Sequence, residues 1–326
     1  MTVPSTAEAS LLTAARTGDE EAFRRLTEEY ARELHVHCYR MLGSVQDAED
    51  AVQETLLRAW RHLPGFERRS SLRSWLYRIA TNVAWTAGRS RQTAEVAPYP
   101  DTYLQELETA SEGPAARYDR RESVQLAFVA AMQLLPPRQR AVLLLHDVLG
   151  WPAIEVAGML DTTPSGVHST LHRARATLER RREQAGLRLD RTAVSSETER
   201  ALAGRFLAAW DAVDVAGLVA LLKEDAVLTM PPLPLRYEGR AAIAEFFSTV
   251  PAGGALDQIR LVPTRANRQP ALAAYQLDPE TGTYRAYGIM VLTLGEDAIA
   301  EMTGFADPTL FPFFDLPAEL PQSAAG

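Results

Sequence analysis

One cysteine, Cys38, and one lysine, Lys223, stand in 326 residues. A single cysteine excludes an intramolecular disulfide and any multi-cysteine zinc site. Cys38 lies in the run HVHCYRMLG with His35 and His37. Those histidines, two apart, do not share a helical face, so the trio reads as core or surface and no metal is expected. The scarcity of lysine leaves nearly all positive charge to arginine. No stretch is apolar long enough to span a bilayer, and MTVPSTAEAS lacks a secretory signal pattern. A cytoplasmic chain without a membrane partner is therefore expected. All six histidines precede residue 196, so the C-terminal part holds no histidine acid or base.

Net charge is −8, a sign that disfavours nucleic acid until it is located along the chain. From residue 196 onward there are nine basic and seventeen acidic residues, which supply the whole imbalance. Residues 1–195 balance at 25 of each sign, and 171–191 alone carry seven arginines against three acids. Acidic and basic surfaces are thus sorted into different places.

The segment Trp151–Leu178 reads as two short helices joined by a sharp turn. Asp161-Thr162 closes the first, Thr163 caps the second, and Pro164 suits its first turn because that N–H would be unpaired anyway. In the second helix Val167, Leu171, Ala174 and Leu178 form one apolar stripe. Ser165, Ser169, His172, Arg173 and Arg180 face outward, with His168 and Arg175 on the flanks. This is the geometry of a helix-turn-helix, which pushes its second helix into a DNA major groove; a core helix with a solvated basic face is the alternative.

Two upstream segments bear on that choice. SVQDAEDAVQETLLRAWRH, from Ser44, is an amphipathic helix with an inner stripe of Val45, Ala48, Val52, Leu56, Ala59 and Leu63. Its outer face carries Asp47, Asp50, Glu54 and Leu57, and a leucine among carboxylates marks a docking surface. After Pro64-Gly65 and the run Phe66 to Ser70, a further helix turns Leu72, Trp75, Leu76, Ile79 and Val83 inward. Its Arg73, Tyr77, Arg78, Thr81 and Trp85 face outward. Aromatics interleaved with arginines suit single-stranded nucleic acid, since bases stack on the rings while guanidinium groups hold phosphates. Packing of Tyr77 and Trp85 against a neighbouring element is the other reading.

DAEDAVQETLLRAW followed by SLRSWLYRIATN resembles region 2 of the extracytoplasmic-function sigma factors, and the helix-turn-helix resembles their region 4. The resemblance spans about residues 8–188. It implies a chain that binds core RNA polymerase, melts the −10 promoter element and reads the −35 element. Asp47, Asp50, Gln53 and Glu54, with Leu57, would contact the polymerase clamp. The loop from Phe66 to Ser71, including Arg68 and Arg69, would take up a flipped −10 base. Arg73, Tyr77, Arg78, Asn82 and Trp85 would line the nearby strand. Ser165, His168, Ser169, His172, Arg173 and Arg175 would face the −35 element. The family commonly reads VKSRLHRAR where this chain has VHSTLHRAR; His168 and Thr170 remove two positive contacts, which puts the promoter sequence in doubt and leaves the fold intact. The variant looks closer to an actinobacterial subgroup, the SigG type, whose members carry a C-terminal extension.

The expected organisation is a helical domain over 8–91, a linker over 92–118, a second helical domain over 119–190 and a further domain over 197–316. The Pro- and acid-bearing linker reads as extended; by resemblance it threads the polymerase cleft, with a plain tether as the alternative. Beyond it, a helix over 197–213 and a second with Leu218, Leu221 and Leu222 precede strand-like runs at 226–230, 258–264, 271–277, 283–294 and 298–305. Helices followed by antiparallel strands give an α+β domain, so the whole is multidomain, two all-α parts and one α+β. LLKEDAVLTMPP and YEGRAAIAEFF resemble the SnoaL-like fold, which implies a cone with one pocket. Met230, Tyr237, Phe247, Tyr287 and Met302 are candidates for lining it, or are core. Of the carboxylates Asp225, Glu238, Asp257, Glu301 and Asp307, none belongs to a catalytic constellation, so no enzyme activity and no cofactor are expected.

Two functions remain in view. One is a sigma factor whose C-terminal domain regulates it in cis, with an unidentified small molecule as a candidate ligand. The other is a DNA-binding regulator fused to a small-molecule enzyme. A repressor has no use for the Asp47–Glu54 docking face or the Phe66 loop, which favours the first.

Overall fold

The computed structural model describes residues 6–66, 70–89, 96–104, 124–185 and 195–321. The chain divides into two compact units, one of residues 1–99 and 103–188, the other of 100–102 and 189–326.

The first unit is helical: α1 (Thr6–Arg16), α2 (Glu20–Leu42), α3 (Val45–His62), α4 (Leu72–Arg89), α5 (Leu126–Gln133), α6 (Pro137–Leu143), α7 (Ala153–Met159) and α8 (Pro164–Ala185). Local chemistry sets the boundaries. Asp19 caps α2 by accepting from the Ala22 N–H at 2.9 Å. Gly43 ends it at φ 82°, a left-handed C-cap that glycine adopts at no steric cost. Ser44 then caps α3, and Ser71 caps α4 by accepting from the Ser74 N–H at 3.1 Å. The inner stripe of α3 is buried at Val45, Ala48, Val52 and Ala59, joined by Thr55. Leu56 is only half-buried.

The two helical segments pack into this one unit. Arg140 of α6 is buried and donates to the carbonyls of Met132, Gln133 and Leu135, and across to Met41 at the end of α2. Burial draws its pKa down to about 10, so it remains charged at neutral pH. Gln133 donates to the Arg40 carbonyl beside it, at 3.2 Å. A π-turn at Leu144–Val148 follows α6.

In the second unit, α9 (Ser196–Asp211), α10 (Val215–Ala220) and α11 (Gly239–Thr249) accompany a seven-stranded sheet. The strands are β1 (Leu222–Thr229), β2 (Arg236–Glu238), β3 (Ile259–Ala266), β4 (Gln269–Leu277), β5 (Tyr284–Leu294), β6 (Ile299–Phe305) and β7 (Glu319–Leu320), in the order β2-β1-β6-β5-β4-β3 with β7 on β5. β3 to β6 pair in succession as antiparallel neighbours. Leu222, expected in a helix, opens β1, which pairs parallel with β6. Phe206 and Trp210 of α9 pack on Phe247 of α11 at the centre, and the Trp210 indole donates to the Ile259 carbonyl at 2.9 Å.

The sheet has two local irregularities. β3 and β4 are joined by Asn267-Arg268, both at positive φ (55° and 61°), a two-residue hairpin turn of the type that matches strand twist. In β5, Gly288 pairs with Ala274 and Ala286 with Tyr275, leaving Tyr287 as the extra residue of a bulge.

Candidate nucleic-acid and partner interfaces

The outer face of α3 is open. Leu57 is 51% exposed, Asp50 and Gln53 are exposed, and Glu54 is tied to Arg58 at 2.6 Å. An isolated leucine between acids gains nothing for the folded monomer, because its apolar area stays in water.

The face of α4 is closed at Tyr77 and Thr81, which corrects the expected orientation of those two residues. Tyr77 is 1% exposed and Thr81 fully buried. Tyr77 packs on the His37 ring at 5.1 Å and on Trp151 at 5.7 Å; Thr81 bonds His37 Nε2 at 2.8 Å. The reason is that α4 is enclosed by α2, α3 and the second helical segment, so one apolar stripe understates its buried surface. Phe66 is also buried, against the Trp75 ring at 4.8 Å. Arg73 donates to both Glu33 oxygens at 2.8–3.0 Å and lies over the Tyr77 and Trp151 rings. Burial opposes its charge, but the Glu33 bonds outweigh that and its pKa is raised. Arg78 pairs with Asp161 at 2.8 Å. Asn82 and Trp85 are half-buried. Arg68 and Arg69 lie outside the described residues.

Around this face sits a buried polar layer. His35 Nδ1 meets the Tyr99 hydroxyl at 2.6 Å, and its Nε2 stands 3.3 Å from Glu49. Burial pulls His35 down to about 4 despite Glu49, and His37 to about 3, where Arg40 adds to the effect. Burial likewise pushes the Cys38 thiol up to about 12. The trio is core, as the spacing implies.

The helix-turn-helix forms as read. Thr163 accepts from the Gly166 N–H at 3.1 Å, and Asp161 takes the left-handed turn position at φ 48°. Val167, Leu171 and Ala174 are buried, joined by Thr170. Ser165, His168, Ser169, His172, Arg173 and Arg175 are all exposed. They are not equally free: Arg175 donates to both Asp147 oxygens at 2.8 and 3.0 Å, and His146 meets the same carboxylate at 2.9 Å. Burial raises the Asp147 pKa, but these two partners overcome it and the net shift is downward.

In the second unit, the Asn267-Arg268 turn grips a residue of the expected linker. Asp101, 4% exposed, accepts from the Arg268 N–H at 2.7 Å and from Arg265 Nε at 3.1 Å, and its own N–H donates to the Arg265 carbonyl at 3.3 Å. Arg265 also pairs with Glu199 of α9. No sequence periodicity marks this clip. The cone holds a half-open cavity of about 80 Å³ whose wall includes Met230, Phe247 and Tyr287. Tyr237 stacks on Phe246 at 4.9 Å and Met302 is buried in the core, both outside the wall. None of the five C-terminal carboxylates lines it. No group of three metal-ligating side chains occurs among the described residues, and no helix among them is long and apolar enough to cross a membrane.

The chain matches the family descriptions Sigma-70 region 2 over residues 26–93, Sigma-70 region 4 over 125–178, and SnoaL-like domain over 203–302. It is 42% identical to the ECF RNA polymerase sigma factor SigG of Mycobacterium tuberculosis, across 94% of this chain and 86% of that one. It is 30% identical to the ECF RNA polymerase sigma factor SigW of Bacillus subtilis, across 51% and 91%. The crystal structure of the extracytoplasmic function sigma factor SigJ of Mycobacterium tuberculosis shares the fold, at TM-score 0.60 and 22% identity over 90% of this chain and 99% of that one. Likeness over nearly the whole length, with both sigma-70 regions matched in order, shows that the chain belongs to the extracytoplasmic-function RNA polymerase sigma factors.

Proposed function

We propose that this chain binds core RNA polymerase through α3, engages the −10 element through α4 and the −35 element through α8, and promotes transcription initiation in the cytoplasm. The observation that carries the reading is the contrast between two adjacent helices. The acidic, leucine-bearing face of α3 is open to a partner, while on α4 Tyr77 is buried against Trp151, Arg73 lies over the same ring, and the exposed Arg78 is paired with Asp161. A factor so arranged docks on polymerase first and exposes its strand-binding face afterwards. The test is run-off transcription with core polymerase beside promoter binding by the chain alone. Promoter-specific initiation is expected only with core present, and tight promoter binding by the free chain would overturn the order.

The C-terminal domain acts in cis. Its hairpin holds Asp101, a residue between the two sigma regions, and a domain that grips the connector can bias the spacing of the parts it connects. It serves as a binding module and not as a catalyst, since the cavity wall offers no carboxylate or imidazole for proton transfer. A small molecule in the cone, against Met230, Phe247 and Tyr287, would be its signal. The chain ending near Arg191 should therefore differ several-fold from the full chain in transcription while binding core alike.

A further inference from the structure

The wall of the cone cavity is aliphatic, aromatic and thioether: Trp210, Phe246, Phe247, Met230, Met290 and Phe305 are its larger members. The one indole N–H among them is already spent on the Ile259 carbonyl. A polar ligand atom placed inside would be stripped of water and given no partner. At about 80 Å³ the space is small. An engineered apolar cavity of about 150 Å³ is what takes up benzene, so a ring is too bulky here and a chain end of a few carbons is not.

Room has been left where the backbone does not demand it. Gly288 must be glycine, because a Cβ there would run into the Phe305 carbonyl. Gly304 is different: a Cβ would meet Met230 Cγ and Cε at 3.7 and 3.9 Å and the Thr229 carbonyl oxygen at 3.9 Å, all ordinary contact distances. Its missing side chain is part of the cavity. Exposed apolar side chains stand on or next to wall residues. The β5 bulge turns out Tyr287, a wall residue 41% exposed. Val250, beside the wall residue Pro251, is 44% exposed, and Leu235, whose carbonyl accepts from the Met230 N–H, is 36% exposed. Large apolar side chains held in water are costly unless something covers them.

We propose that the cone binds an amphiphile with an unbranched hydrocarbon end, its chain in the cavity and its polar head left in solvent beside Tyr287. The ligand class is an alkyl or acyl chain, and not the ring compounds that a wider cone would accept. This rests on the reading of the C-terminal domain as a binding module.

The test is isothermal titration of the full-length chain with a series of straight-chain alcohols from butanol to decanol, with benzyl alcohol as the ring comparison. Affinity should rise about fourfold per added methylene, the ratio set by burying one CH₂, then level off once the cavity is filled. Benzyl alcohol should bind at least tenfold more weakly than the best chain. Gly304→Leu should abolish chain binding while the thermal midpoint holds or rises, since it fills the space with protein. If that variant does not fold, Ala274→Leu, from the neighbouring wall, takes its place with the same expectation. No binding by any chain, no length dependence, or undiminished binding by a folded, filled variant overturns the proposal. The regulatory reading is judged separately, because a truncation effect on transcription with no chain binding would remove the ligand class alone. Recovery of chemically altered alcohol would instead remove the binding-module reading.

Discussion

The guanidinium carbon of Arg73 lies 4.9 Å from the ring centre of Trp151. One residue comes from the helix expected to hold the −10 strand, the other from the entry to the helix-turn-helix. Cation–π attraction of this kind is worth about 0.5–2 kcal/mol, more when water is excluded, and the Tyr77 ring, 5.7 Å from that of Trp151, completes a three-way cluster. The groups best suited to stacking bases and holding phosphates are thus satisfied within the protein. If α4 holds the −10 strand, this arrangement has to open on promoter DNA.

Loosening this contact should favour DNA binding by the free chain. Asp161→Asn releases Arg78 with little loss of stability, because an exposed ion pair contributes about 0–1 kcal/mol. Asparagine also tolerates the positive φ at that position. Trp151→Phe keeps an aromatic platform but weakens the stack on Arg73. Both variants should bind single-stranded −10 DNA more tightly than the parent in the absence of polymerase, as read by fluorescence anisotropy. Affinity unchanged in both would mean that the covered face is not the strand-binding face.

The α3 helix was legible because its stripe, its cap and its misplaced leucine are all local signals. The helix-turn-helix was legible for the same reason: Thr163, Pro164 and the Val167 stripe lie within one short segment. What escaped was set by long-range contact. Tyr77 and Thr81 look outward on a helical wheel, but the surface that covers Tyr77 lies some seventy residues downstream. Nothing in the sequence singles out Arg140, and only the fold shows four carbonyls converging on it. Asp101 falls in a stretch with no periodicity to read. Helical spacing also placed Leu222 in a helix, because a short apolar run fits a helix end and a buried strand start equally.

Arg140 should be a large single contributor to the first unit. Replacing it with Ala leaves carbonyls of Met132, Gln133, Leu135 and Met41 without their donor, and breaking such buried polar sets costs about 3–5 kcal/mol. Lys, a single point donor on a flexible stem, should recover less than half. Denaturant unfolding of the full chain measures both. A loss below 1 kcal/mol for Ala would show that the carbonyls find water instead.

Acid should destabilise the first unit through His35 and His37. Their folded pKa values, about 4 and about 3, lie below the unfolded value near 6.5. Between those limits the unfolded chain holds protons that the folded one does not. Stability is therefore intact above about pH 6.5 and is lost as pH falls toward 3, by about 1.4 kcal/mol per pH unit for each group. His37→Gln should remove about one proton's worth of that slope in urea melts taken from pH 7 to pH 4. An unchanged slope would mean that His37 is already protonated when folded.

On the recognition helix, Arg173 and Arg175 should behave differently. Among the described residues, Arg173 bonds only the Thr170 hydroxyl, at 3.4 Å, whereas Arg175 must leave Asp147 before it can meet a phosphate. Arg173→Ala should weaken binding to all −35 sequences and lower the salt slope by about one unit. Arg175→Ala should do less, and Asp147→Asn should strengthen binding by freeing Arg175. His168 and Ser169, nearer the helix start, should instead change sequence preference. Retargeting by Arg173→Ala with the salt slope intact would reverse these roles.

The hold on Asp101 makes the sharpest demand on the C-terminal domain. Its carboxylate satisfies the N–H of Arg268, a non-glycine residue kept at φ 61°, and half of the Arg265 guanidinium. Asp101→Ala removes both bonds, and a buried N–H left unpaired costs about 1–3 kcal/mol locally. Glu199→Gln perturbs the same Arg265 from α9, without touching the linker, and serves as the comparison. If gripping the linker is how the domain acts in cis, Asp101→Ala should shift transcription several-fold in the direction taken by the chain ending near Arg191. Glu199→Gln should leave transcription near the parent level, and core binding should be equal in all. Equal effects of the two substitutions would point to loss of hairpin stability alone. Parental transcription by Asp101→Ala would mean that the domain regulates, if at all, through another surface.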